Sequence, residues 1–153
     1  MTLFLSTYSN KVDRKGRVSV PASFRSALSS EPFQGVVLFR SNNHECLEGF
    51  AYSAMEELCG RLDHYDIFSS EQDDMATAIF GEAVQLPLDG DGRVVLPASL
   101  LEFAGLDEIA SFVGLGKKFQ IWSPERLDQR REIARKAVQD KGLTLPKERA
   151  HDE

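Results

Sequence analysis

The chain has 153 residues, 42% of them hydrophobic, and its 24 acidic against 18 basic side chains leave a net charge of −6. That length allows one domain or two small ones at ~100–200 residues each, and Cys46 and Cys59, with no short spacing between them, give neither a disulfide framework nor a zinc knuckle. No apolar run approaches the ~18 residues of a membrane span and Met1–Tyr8 carries no basic leader, so a soluble, cytoplasmic chain is expected. Charge is unevenly spread: residues 1–28 hold Lys11, Arg14, Lys15, Arg17 and Arg25 against Asp13 alone, a local basic patch on an acidic protein.

In chain order, the first predicted unit is a hairpin. Val18 and Val20 alternate with Arg17 and Ser19, which places the valines on one face of a strand, and Asp13 and Gly16 suit the turn before it. Pro21 ends strand pairing and opens a short helix to Leu28. Val36–Arg40 and Cys46–Phe50 read as strands. Ser53 and Glu56 have the spacing of a capping box at a helix start, and Ser69–Gly81 reads as a further helical stretch. A second hairpin follows around Asp89–Arg93, then a helix from Pro97 to Ala104 with Gly105 as its stop. Ser111–Leu115 and Phe119–Trp122 are the next strands, Ser123-Pro124 opens the last helix, and 141–153 forms a charged tail expected to be mobile.

The second hairpin repeats the first. Asp13-Arg14-Lys15-Gly16-Arg17-Val18-Ser19-Val20-Pro21-Ala22-Ser23 returns as Asp89-Gly90-Asp91-Gly92-Arg93-Val94-Val95-Leu96-Pro97-Ala98-Ser99 at a constant offset, so one supersecondary unit is used twice. The resulting division is repeat one at 1–68, a connecting helix at 69–81, repeat two at 82–140 and the tail at 141–153. Units of about 75 residues are marginal alone, so the copies are expected to lean on each other or on neighbouring subunits. The tips differ in charge: Arg14 and Lys15 in the first, Gly90 and Asp91 in the second.

Catalytic and metal constellations are absent from the pattern. His64 between Asp63 and Asp66 lacks zinc spacing. Asp89-Gly90-Asp91-Gly92 fails as a calcium loop because Arg93 and Val94 stand where a ligand and a glycine are needed, and the glycine-rich segments lack the remaining phosphate-loop and dinucleotide positions. No enzyme activity, metal, cofactor, small-molecule substrate or membrane partner is therefore expected. The basic tip has a mechanism: a two-stranded ribbon carrying Lys11, Arg14, Lys15 and Arg17 can enter a DNA groove, where arginine bonds phosphate or guanine edges bidentately. A solvated charged turn is the plainer alternative.

Those tandem segments, preceded by Phe4-Leu5-Ser6-Thr7-Tyr8, closely resemble the MraZ family of bacterial transcriptional regulators over nearly the whole chain. The resemblance places the family's Asp-x-x-x-Arg signature on Asp13 with Arg17 and on Asp89 with Arg93. It implies an α+β, β-rich fold of two tandem AbrB-like swapped-hairpin β-barrel modules with short peripheral helices, assembled into a homo-oligomeric ring. It also implies nucleoid-associated binding to repeated double-stranded DNA elements in the promoter of the division and cell-wall gene cluster. DNA contact is expected mainly from copy one, with Arg93 holding its internal pair with Asp89. The competing expectation, from the net charge and the helix after Pro124, is a non-catalytic acidic oligomeric scaffold for another protein.

Overall fold

The computed structural model describes residues 3–148. Its strands are β1 (Thr7–Lys11), β2 (Arg17–Ser19), β3 (Gly35–Arg40), β4 (Leu47–Phe50), β5 (Val84–Pro87), β6 (Arg93–Val95), β7 (Ile109–Gly114) and β8 (Phe119–Trp122). Its helices are α1 (Ala22–Leu28), α2 (Tyr52–Leu62), α3 (Ser70–Ala76), α4 (Ala98–Ala104) and α5 (Pro124–Lys141), with a π-helical turn at Thr77–Gly81 after α3. No helix among the described residues is long and apolar enough to cross a membrane.

Six strands form one antiparallel sheet in the order β1-β7-β8-β4-β3-β5, and β2 pairs with β6 in a separate two-stranded ribbon. Exchanging each strand of copy one with its counterpart in copy two reverses this order onto itself, so a pseudo-two-fold axis runs between β4 and β8 and through the ribbon. The copies are interleaved: β1 pairs with β7, β3 with β5 and β2 with β6. This is the swapped hairpin that the family resemblance implied, and it corrects the simple hairpin read from the turn residues alone. Each hairpin closes only at its tip, as in the Val12–Val18 bridge, and its two strands then pair with the other copy. Through the tips the ribbon joins both edge strands, β1 and β5, so the eight strands run in a closed circuit around one core.

Strand alternation assigns the layers. Val36, Leu38, Leu47, Phe112, Phe119 and Ile121 face the ribbon, meeting Val18, Val94, Leu96, Phe24 and Leu100 in the main core. Phe4, Phe24, Phe112 and Phe119 stack edge-on or tilted there, with centroids 5.1–6.2 Å apart. Val37 and Phe39 face the other way under α2 and the π-helical turn, and Trp122 packs with Leu127 of α5. At the axis Glu48 lies opposite its pseudo-symmetry mate Gln120. The buried carboxylate accepts hydrogen bonds from Gln120 Nε2 (3.1 Å), Ser41 Oγ (2.7 Å) and Lys118 Nζ (2.9 Å), and Gln120 in turn accepts one from Trp122 Nε1.

The capping box expected at Ser53 and Glu56 is replaced by a longer-range cap. Ser53 donates both its N–H (3.1 Å) and its hydroxyl (2.7 Å) to the Glu31 carboxylate, which sits at the α2 N-terminus, where negative charge is favoured. Ser69 and Ser123 cap α3 and α5 through their own side chains. Helix α5 includes Lys141 and ends at Gly142; residues 143–148 carry no regular structure, and the rest of the expected tail lies outside the described residues.

Because both copies share every layer, a chain cut near Ser69 is expected to give halves that are unfolded apart and fold on mixing, checked by circular dichroism and light scattering of each half and of the mixture. A stable homodimer of the first half is not expected, since it would set one buried Glu48 against another. Phe24→Ala should cost about 3–5 kcal/mol in a denaturant titration, the range for emptying a packed aromatic site.

Candidate nucleic-acid interface

Each tip is built around one carboxylate. Asp13 Oδ1 accepts the N–H groups of Lys15 and Arg17, both at 2.9 Å, and Oδ2 accepts Arg17 Nε at 2.6 Å. Asp89 repeats this with Asp91 N–H (2.9 Å), Arg93 N–H (3.0 Å) and Arg93 Nε (3.1 Å). Gly16 and Gly92 have φ of +82° and +75°, the left-handed region that the turn requires. They are also enclosed: a Cβ on Gly16 would lie 2.6 Å from the Leu96 carbonyl oxygen. Each glycine carbonyl accepts an N–H from the opposite copy, Gly16 from Leu96 (2.8 Å) and Gly92 from Val20 (3.0 Å). The tips are therefore fixed to the ends of the ribbon.

Four strand steps separate Gly16 from Val20, opposite Gly92, so at ~3.3 Å per residue the tips lie about 13 Å apart on one side of the molecule. Between them the ribbon buries Val18 and Val94 and turns Arg17, Ser19, Arg93 and Val95 outward. The sequence-predicted Asp13–Arg17 and Asp89–Arg93 pairs thus form, and Arg14 and Lys15 are exposed at the first tip with no side-chain partner among the described residues. Lys11 stands exposed at the end of β1, opposite Ile109.

Two differences separate the tips beyond their sequence. Arg93 spends a terminal nitrogen on Asp91 (3.3 Å), whereas the terminal nitrogens of Arg17 have no protein acceptor among the described residues. The second concerns Arg25. It belongs to copy one, but strand exchange carries it to tip two, where Nε bonds the Val20 carbonyl (3.1 Å) and the side chain lies against Gly92. Leu101 holds the equivalent place at tip one. Sequence reasoning counted Arg25 with the basic N-terminal segment and left it out of the site, because only the pairing of β2 with β6 reveals its neighbour.

Other chemistry finds little support in the geometry. Cys46 is fully enclosed; burial, with the nearby negative charge of Glu48 adding, pushes its thiol up to about 12, which makes it a protonated core residue at neutral pH. Among the described residues no three His, Cys, Asp or Glu side chains converge as a metal site.

Hydrogen bonds hold both tip aspartates below the ordinary value of 3.8, led by the backbone N–H of Arg17 for Asp13 and of Arg93 for Asp89. A carboxylate whose value is depressed on folding contributes stability that is complete above 3.8 and lost as pH falls through the lower folded value. The melting temperature of the parent should therefore fall below pH 4, and Asp89→Asn should be less stable at neutral pH and show a shallower acid dependence, measured by thermal unfolding between about pH 2 and 7.

A family model described as "MraZ protein, putative antitoxin-like" matches residues 3–74 and again 79–149. The chain is 46% identical over 145 residues to proteins of Rickettsia akari and Rickettsia felis, and 44% identical over 146 residues to one of Rickettsia bellii. Each of the three bears the name "Transcriptional regulator MraZ", and each alignment covers 95% of this chain and 97% of the relative. With both repeats matched and relatives this similar end to end, the chain belongs to the MraZ family.

Proposed function

We propose that this chain is a sequence-specific, non-catalytic DNA-binding regulator that reads repeated promoter elements of the division and cell-wall gene cluster through the basic tips of a homo-oligomeric ring. The observation that carries the reading is the asymmetry of the tips. Two copies share one turn geometry around Asp13 and Asp89, yet only the first adds uncommitted cations, Arg14 and Lys15, and leaves the end of its signature arginine unpaired. A stability role alone accounts for the shared pair and leaves the added cations unexplained. The names of the curated relatives support the transcriptional role.

In this reading the outer face of the β2–β6 ribbon enters the major groove, about 12 Å wide. Arg14 and Lys15 contact phosphates, and Arg17, held in a fixed rotamer by Asp13, points its terminal nitrogens at a base edge or phosphate. Lys11 approaches the backbone beside the first tip. Arg25 and Arg93 lie along the same face and offset the charge of Asp91, so the second tip need not be lifted away from the DNA. Single tips bind weakly, and a ring places several of them on repeated elements at high effective concentration. The work is then done at the nucleoid.

The scaffold reading draws on a specific feature, the eight carboxylates against one cation in residues 56–82, and salt dependence separates the two. On promoter DNA, Arg14→Ala and Lys15→Ala should each weaken binding and lower the slope of log affinity against log salt by about one, as expected for a lost phosphate contact. Arg25→Ala should weaken binding with little change in thermal stability. Unchanged affinity and slope in both tip variants would sink the DNA assignment.

A further inference from the structure

We infer that Val95, brought by strand exchange from copy two to the tip-one end of the ribbon, reads the 5-methyl group of a thymine in the major groove, next to the group that Arg17 contacts. This rests on the DNA-binding reading above and adds to it an apolar base-reading group that the basic residues do not supply.

Strands β2 and β6 run antiparallel with Arg17 opposite Val95 and Ser19 opposite Arg93. These side chains share the outward face of the ribbon, because the alternate residues Val18 and Val94 are buried. The two ends of that face are chemically unlike. At the tip-two end Ser19 lies next to Arg93, which is engaged by Asp89 and Asp91. At the tip-one end Val95 lies next to Arg17, whose terminal nitrogens have no protein acceptor among the described residues.

Ser19 and Val95 hold equivalent positions in the two repeats. Strand preference favours valine over serine at both, yet only copy two carries it, and there it is 52% exposed on the face turned toward DNA. Directly opposite residues on one face of an antiparallel pair have Cβ atoms about 4.5–5.5 Å apart, and bases along a strand are spaced by ~3.4 Å. Val95 therefore lies over the base pair that Arg17 overhangs, or over the next one. Arg17 is drawn toward the turn by its Nε bond to Asp13, so it stands beside Val95 and does not prop the ribbon away from the groove floor.

The chemistry of the base edges selects the partner. In the major groove only thymine presents an apolar group, its C5-methyl, while the other bases present donors and acceptors that an aliphatic side chain would strip of water without bonding. Val95 thus favours thymine and disfavours the rest, which gives copy two a part in sequence reading although its own tip lacks the added cations.

The test is binding of the full chain to DNA from its own upstream promoter, with thymines replaced by deoxyuridine one position at a time, which removes the methyl and keeps the base pair. At one position of the bound element the parent should lose about fourfold in affinity per contact, the factor for exposing one methyl-sized apolar group. Val95→Ser installs the residue that copy one carries at position 19; it should bind the thymine DNA correspondingly more weakly, be indifferent to deoxyuridine at that position, and keep the parent's salt slope, since no phosphate contact is lost. Far-UV circular dichroism and melting check its folding, and should it not fold, Val95→Thr, which keeps the branched shape, carries the comparison through a smaller penalty at the same position. Salt-sensitive binding by the parent with no deoxyuridine-sensitive position, or with a penalty that persists in full in the folded variant, overturns the inference and leaves the DNA-binding reading standing. Failure of the parent to bind promoter DNA in a salt-dependent way overturns both.

Discussion

The exchange of strands between the two copies is the constraint on which the rest of the molecule depends. Neither hairpin pairs with itself beyond its tip; each sends one strand to the edge of the common sheet and the other into the β2–β6 ribbon. The pairing is closed by hydrogen bonds from Leu96 to the Gly16 carbonyl and from Val20 to the Gly92 carbonyl. Because these bonds cross between copies, the orientation of each tip is set by the other copy. A glycine is needed at both tips, although only one carries the added cations, because each turn takes a left-handed φ and the other copy or Arg25 leaves no room there for a Cβ.

The same exchange lets the two copies diverge without losing the fold. The shared Asp–Arg pair secures the turn in both, through the same backbone and side-chain bonds. The two positions that follow each aspartate are not tied to one side-chain type by those bonds, and there Arg14 and Lys15 stand against Gly90 and Asp91. At the axis the divergence has a different use. A Glu48 opposite Gln120 shares hydrogen bonds across β4 and β8, whereas two identical carboxylates there would repel. The halves are complementary at their centre, which favours pairing within one chain over pairing of like halves between chains.

Much of this was legible locally. Pro21 and Pro97 mark the starts of α1 and α4, Ser123-Pro124 opens α5, and the apolar runs from Val36 and Ser111 fall on β3 and β7, because backbone restriction and period-two alternation act over a few residues. The repeat and its signature pairs were equally plain. The exchange of hairpins came from the family resemblance, and what local pattern could not supply was each long-range contact: the register of the pairing, that Glu31 rather than Glu56 serves the α2 N-terminus, that Glu48 meets Gln120, and that Arg25 lies over Gly92. These depend on residues brought together by the exchange, which leaves no periodic trace. The candidate site could therefore be read from sequence as a set of turn residues, while the surface that joins them across both copies could not.

In the proposed DNA-binding reading, a net charge of −6 opposes binding to a polyanion, and the layers keep the acidic segment apart from the basic ribbon face. A chain this acidic is repelled by a polyanion at long range, and attraction must come from cations within about a Debye length of it, ~8 Å at physiological ionic strength. The exchanged ribbon gathers Arg14, Lys15, Arg17, Arg25 and Arg93 on one side, while the acidic segment 56–82 lies across the sheet with α2 and α3. The sheet and the core stand between that acidic segment and the ribbon. In that reading, acidic surface behind the sheet can serve solubility without cancelling the cations of the first tip. A more evenly mixed surface with the same composition would lose that separation, so the protein's charge has to be read by layer and not by total.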